Sequence, residues 1–205
     1  QEPFPNEDET VWLTFNGEIY NFQQLRAELE SHGHRFRSRT DAEVVLHGYE
    51  QWGTDVLQRL RGMFAFAIWD EKEKTFFAAR DRFGEKPFFF FYDEDEKTFL
   101  FSSEIKALWA AGVQKEMNLQ MLFNFLTIGY TDNPNDNTET FDNRIEKLPA
   151  AHFLTIETAK GFSVAITRYW DIDLEKKINI SDNETIEKFR ELFQTSVIRR
   201  LRSDV

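Results

Sequence analysis

A short hydrophobic run, Val11 to Phe15, enters Asn16-Gly17-Glu18-Ile19-Tyr20-Asn21, and a helical pattern beginning Phe22-Gln23-Gln24-Leu25 leaves it. Asn-Gly pairs most often close β-hairpins, because both residues tolerate positive φ. Here no second strand follows. Asn21 and Gln24 instead fit a capping box, and the helix runs on through Leu25 and Leu29 to a C-terminal Gly33. The pattern predicts a strand that stops at Asn-Gly and turns directly into a helix. Such a corner offers a side-chain amide at Asn16, an unobstructed backbone N–H at Gly17 and a carboxylate at Glu18. That set suits a small zwitterion and an oxyanion, while a plain turn satisfies the same residues.

The length of 205 residues allows one substantial domain, or one and a small second. Apolar residues make up 41% and aromatics 16%, with 22 Phe, which is ample core material and favours aromatic-packed β layers. A formal net charge of −11 argues against a nucleic acid or an anionic membrane surface as partner. No apolar run approaches the roughly 18 residues of a membrane span, and the densest, Met63 to Trp69, has strand length. The first residues show no signal-peptide pattern. The chain has no cysteine, so it offers neither a disulfide framework nor a thiol nucleophile, and a cytoplasmic location is expected.

Along the chain, Gln1 to Thr10 reads as a polar, proline-bearing loop. His32 and His34 flank Gly33, and no other histidine stands at ligand spacing, so this stretch reads as a solvated loop and no metal site is expected. Arg35 to Ser38 alternates weakly, like a short strand. Thr40-Asp41-Ala42-Glu43 is a second capping box, with Asp41 placed to complement the helix dipole, and Val45, Tyr49 and Trp52 share the face of the helix it opens. Strands are predicted at Met63–Trp69, Thr75–Asp81, Phe88–Tyr92 and Thr98–Ser102, with connections short enough to make them antiparallel. Ser103 caps a helix through Trp109. Asn118 caps another, Leu119–Ile128, with Leu122, Phe125 and Leu126 facing inward. Thr131 to Thr140 reads as an inert polar connection. His152–Thr158 and Phe162–Trp170 form a late hairpin, and Asp173 to Ile180 is the best linker candidate. A third capping box, Ser181 to Glu184, starts an amphipathic helix with Ile186, Phe189, Phe193 and Val197 on one face. Antiparallel strands with segregated helices predict an α+β fold, two sheets face to face with helices outside.

Several motifs stand in order along the chain. They are Phe15-Asn16-Gly17-Glu18-Ile19-Tyr20-Asn21, Thr40-Asp41-Ala42-Glu43, Leu60-Arg61-Gly62-Met63-Phe64-Ala65-Phe66-Ala67 and Ala79-Arg80-Asp81-Arg82-Phe83-Gly84. Phe101 to Leu108, Lys147-Leu148-Pro149, Arg168-Tyr169-Trp170-Asp171 and Arg200 to Val205 follow. Together they resemble the glutaminase domain of glutamine-hydrolysing asparagine synthetases, class II amidotransferases with an N-terminal nucleophile. The resemblance covers nearly the whole chain. It implies an Ntn-hydrolase-like α-β-β-α sandwich of antiparallel sheets, incomplete at the N-terminus.

The resemblance also implies roles. An N-terminal cysteine thiolate would attack the carboxamide of glutamine. The Asn16 side-chain amide and the Gly17 backbone N–H would hold the oxyanion. Glu18 and Asp41 would bind the α-ammonium of the substrate. Arg80-Asp81-Arg82 is expected to form structural ion pairs. Residue 1 is Gln and no cysteine is present, so the nucleophile is absent, and the arginine expected for the α-carboxylate would lie upstream. The family's pyrophosphate-cradling loop would follow Val205. The expected organisation is therefore residues 1–172 as a partial glutaminase domain and 173–205 as the linker and first helix of a synthetase domain. ATP, Mg²⁺ and aspartate would belong to that synthetase domain, and no cofactor is expected in this piece. Missing strands would leave unpaired sheet edges and favour self-association, a homodimer being one form of it. An amidotransferase paralogue with another acceptor, or a non-catalytic glutamine-binding module, would carry the same glutaminase motifs.

Overall fold

Every residue from Phe64 to Ile68 is buried, so the strand that contains them needs cover on both faces. The computed structural model, which describes residues 2–159 and 161–201, supplies that cover with four layers. In chain order, β1 (Phe4–Pro5), β2 (Val11–Ile19), α1 (Phe22–Ser31), α2 (Ala42–Trp52) and α3 (Val56–Arg59) come first. Then follow β3 (Gly62–Asp70), β4 (Thr75–Arg80), β5 (Phe89–Asp93), β6 (Thr98–Ser102), α4 (Ile105–Ala110) and α5 (Leu119–Ile128). The chain closes with β7 (Glu146–Lys147), β8 (His152–Glu157), β9 (Val164–Arg168) and α6 (Asp182–Arg200). One sheet has the order β1-β2-β3-β4-β8-β9 and the other β6-β5-β7, with every pairing antiparallel.

Alternation along β3 and β4 separates two cores. Phe64, Phe66, Ile68 and Phe77 pack against Leu25, Leu29, Val45, Leu46 and Leu57 of the helices on one face. On the other face the residues are small, Ala65, Ala67 and Ala78, and against them pack Phe90 of the second sheet with Phe88 and Leu148, which flank its strands β5 and β7. Small side chains on one sheet make room for large ones on the other, which is how two sheets interdigitate. Beyond the second sheet, Leu108 of α4 packs with Val113 and Ile145. The layers are helices, sheet, sheet, helix: the α+β sandwich that the motifs imply.

Several local expectations change. Asn-Gly does not end the strand. β2 continues through Ile19, pairing Gly17 with Phe64 and Ile19 with Gly62. A Cβ on Gly17 would lie 2.3 Å from the Met63 carbonyl oxygen, and one on Gly62 would lie 2.0 Å from that of Glu18. The two glycines thus permit a close approach of β2 and β3 rather than a turn. Asn21 does not cap α1 with its side chain. Its amide donates to the Arg59 carbonyl at 3.0 Å and accepts from the Arg61 N–H at 2.9 Å, tying the corner to the entry of β3. The second capping box is replaced too: Glu43 accepts from the backbone of Arg37 and Ser38 at 2.6 and 2.8 Å, which folds that loop back onto α2 and leaves no strand at Arg35–Ser38.

Near the start, Phe4–Pro5 pairs with Trp12 and Leu13 as a two-residue strand instead of a loop. Arg80 and Asp81 direct their hydrogen bonds to backbone rather than to each other. Arg80 donates to the carbonyls of Gly84, Lys86 and Leu148, and Asp81 accepts from the N–H groups of Phe64, Phe83, Glu85 and Lys86. Asn118 caps α5 as expected, accepting from the Met121 N–H at 3.1 Å. The inward face of α5 is Met121, however, while Phe125 and Leu126 are exposed. The capping box of α6 forms as read, yet its apolar face of Ile186, Phe189, Phe193 and Val197 is exposed. Neither face is covered by a further layer among the described residues. Arg202 to Val205, the last of the motif residues, lie outside the described residues.

Candidate active site

The backbone phase of β2 sets what the corner presents. Val11 exchanges hydrogen bonds with Asn6, and Ile19 donates its N–H to the Asp41 carboxylate at 2.7 Å, so these residues turn their backbone polar groups away from β3. Tyr20, by contrast, donates to the Arg61 carbonyl. Antiparallel ladders alternate strictly, so Gly17 shares the outward phase of Val11 and Ile19. The pairing of β1 reaches only Trp12 and Leu13. The Gly17 N–H therefore lies along a strand edge that β1 leaves uncovered.

That edge borders a cleft of about 520 Å³, lined by Phe4, Phe15, Gly17, Arg37, Thr40 and Asp41 among others. Asn16 is one residue away and points to the opposite face of the sheet. It lines an adjoining cavity of about 120 Å³ and donates from Nδ2 to the Ser103 hydroxyl at 3.1 Å. Glu2 and Phe15 line both spaces, so the two are neighbours across the strand. Gly17 and Asp41 thus come together in one cleft, with Asn16 next to it. Glu18 pairs with Met63 on the same face as Asn16 and lines neither space. Glu18 and Asp41 therefore do not face one cation jointly in this arrangement.

The electrostatics are mixed. Asp41 and Arg37 both line the cleft, giving it an anion and a cation. Just beyond the corner, burial raises the Tyr20 phenol above its ordinary value, with the Glu85 carboxylate adding to it. The Arg200 guanidinium of α6 stands 5.1 Å from the Tyr20 ring centroid. Sequence reasoning passed over two of these participants. Arg37 sat in a stretch read for strand alternation. Ser103, read only as a helix cap, reaches Asn16 across the gap between the sheets, and no local signal marks a contact of that range.

Comparison with known proteins agrees with this architecture. The family model for the glutamine amidotransferase domain matches residues 1–170. Asparagine synthetase [glutamine-hydrolyzing] 3 of Bacillus subtilis is 41% identical over 198 residues, covering 96% of this chain and 31% of that protein. Asparagine synthetase [glutamine-hydrolyzing] 2 of the same organism is 37% identical over 212 residues, covering 100% of this chain and 28% of that protein. The chain thus spans about a third of the length of the curated relatives it matches, 31% for the first. Among solved structures, glutamine phosphoribosylpyrophosphate amidotransferase from B. subtilis superposes with a TM-score of 0.56 at 20% identity, covering 83% of this chain and 32% of that one, a likeness of fold. With the model matched over residues 1–170 and the sandwich built as described, the chain belongs to the glutamine amidotransferase domain family, class II, with an Ntn-hydrolase-like fold.

Proposed function

We propose that this chain is the glutaminase part of an ATP-dependent asparagine synthetase and holds glutamine in the cleft beside Gly17. The observation that carries the reading is that Gly17, with its outward backbone N–H, lines one cleft together with Asp41 and Arg37. A zwitterionic amino acid needs an anion for its ammonium and a cation for its carboxylate, and its side-chain amide needs a donor where negative charge develops. Asp41, which lines the cleft, takes the ammonium, and Glu18, on the other face of β2, does not share it in this arrangement. The Gly17 N–H and the Asn16 amide take the oxyanion. Arg37 provides the cation within this chain.

In the same proposal, residues 1–172 form the glutaminase domain, and 173–205 lead into a synthetase part. That part uses ATP and Mg²⁺ to activate aspartate and receives the ammonia. The setting is cytoplasmic, and a homodimer is the proposed assembly. In the same proposal the chain binds glutamine weakly and, having no cysteine, does not hydrolyse it alone.

The test pairs two measurements on the purified chain. Ammonia release from glutamine is expected to stay at background. Titration of isotope-labelled protein with glutamine is expected to shift the amide signals of Gly17 and Asp41 in a weak, saturable way. Turnover that follows the protein through purification, or shifts confined to residues away from the cleft, would overturn the reading.

A further inference from the structure

On α2, His47 and Glu50 stand three residues apart on one helix face, and the loop after Gly33 lays His34 beside them. The His34 and His47 ring centroids are 5.1 Å apart. One ligand atom from each of His34, His47 and Glu50 can be chosen so that all lie within 4.8 Å of one another. Glu50 Oε2 is the meeting point, 2.8 Å from His47 Nδ1 and 3.9 Å from His34 Nδ1.

The other polar atoms of these three side chains are already engaged. His34 Nε2 lies 3.0 Å from the Gln51 amide oxygen, which only accepts, so Nε2 carries the proton and Nδ1 a lone pair. His47 Nε2 faces Glu43 Oε1 at 3.6 Å and Glu7 Oε1 at 3.9 Å, two carboxylates that favour a proton on that nitrogen. Glu50 Oε1 accepts from the Asn6 amide at 2.7 Å. The result is an imidazole lone pair on His34 and an N–H on His47 Nδ1, both turned toward Glu50 Oε2, with His34 held from behind by its bond to Gln51, Glu50 by the Asn6 amide and His47 by the nearby Glu43 and Glu7 carboxylates. Metal-binding histidines are oriented in this way, through the ring nitrogen that does not bind.

We propose that His34, His47 and Glu50 form a site for a divalent transition-metal ion of the zinc class. Two imidazoles and a carboxylate suit zinc, whose bonds to nitrogen and oxygen are about 2.0–2.2 Å and whose tetrahedral ligands therefore stand about 3.4 Å apart. The two separations from Glu50 Oε2, 2.8 and 3.9 Å, bracket that spacing, and all three ligand atoms lie within 4.8 Å of one another. Without metal, His47 and Glu50 share a proton, and the ion takes its place. Bound there, the ion joins α2 to the loop that carries Arg37, Thr40 and Asp41 to the cleft. The sequence concealed the set because His34 and the pair on α2 belong to different elements.

The test uses zinc alone, titrated by calorimetry into the tag-free chain after chelator treatment, with Co²⁺ substitution read in the visible spectrum. One equivalent is expected to bind with a micromolar or tighter Kd, raise Tm, and give a Co²⁺ band of tetrahedral intensity. His34→Ala and Glu50→Gln should each weaken binding by at least about tenfold, the scale on which even outer partners of metal ligands act. His32→Ala should leave it unchanged. Circular dichroism checks that each variant folds, and His34→Ala, in a loop, keeps the measurement open if Glu50→Gln does not. Absence of zinc uptake, or uptake indifferent to His34→Ala, would overturn the proposal, as would a loss on His32→Ala instead.

Discussion

The Asp41 carboxylate accepts the backbone N–H of Ile19 at 2.7 Å, joining the entry of α2 to the last residue of β2. This bond fixes one wall of the cleft relative to the strand edge that carries Gly17. A hydrogen bond to a charged acceptor contributes about 1.5–3 kcal/mol. Asp41→Ala is expected to cost about that amount in urea unfolding. Asp41→Asn keeps an oxygen acceptor but loses the charge, so it should retain most of the stability while abolishing the glutamine-dependent shifts. Equal losses of stability in the two variants would show that the charge, and not the hydrogen bond, holds the strand end.

The sequence made the layers legible for a simple reason. Strand segments such as Phe64–Ile68 and the hairpin turns are local patterns, and the alternation of Phe with Ala in β3 encodes two faces directly. What failed was chemistry with long-range partners. Asn21 looked like a cap from its neighbours, but its amide is drawn to Arg59 and Arg61, which only the folded chain brings near. Asn16-Gly17 looked like the end of the strand because both residues tolerate positive φ, and the actual reason for Gly17, the carbonyl of Met63, lies on another strand. The apolar faces of α5 and α6 read as core by periodicity alone, which reports that a face is apolar and not what covers it.

Gly17 and Gly62 should be intolerant of any side chain. The atoms a Cβ would strike are backbone, at 2.3 Å for Gly17 and 2.0 Å for Gly62, so no rotamer change relieves the clash. Overpacking typically costs about 1–3 kcal/mol, and the upper end is expected for each Ala variant because both strands must separate. Chemical denaturation measures it. A cost within experimental error of zero for either variant would mean that the ladder relaxes more freely than its register implies.

Asn21→Ala removes a donor and an acceptor at once from a site that is 9% exposed. The Arg61 N–H and the Arg59 carbonyl are both left without that partner, and a net cost of about 2 kcal/mol is expected from two such bonds. Asn21→Asp restores the acceptor for Arg61 but sets a carboxylate against the Arg59 carbonyl, so it should not recover full stability. Hydrogen exchange gives the local readout: the Arg61 amide is expected to lose protection in Asn21→Ala and keep part of it in Asn21→Asp.

Acid should unwind the first turn of α6 before it affects the sandwich. Glu184 is held below its ordinary 4.5 by the Ser181 backbone N–H and then by the Ser181 hydroxyl. A carboxylate whose folded pKa is depressed contributes stability that is fully present above the unfolded value and is lost as pH falls through the folded one. Helicity of residues 182–186, followed by carbon chemical shifts, should therefore hold steady from neutral pH to about 4.5 and then decline. Because α6 buries no residue, the core signals should not move in that range. Glu184→Gln should abolish the acid step, since a carboxamide still reaches the Ser181 N–H but does not titrate there. A step of equal size in Glu184→Gln would assign the acid sensitivity of the helix to another group.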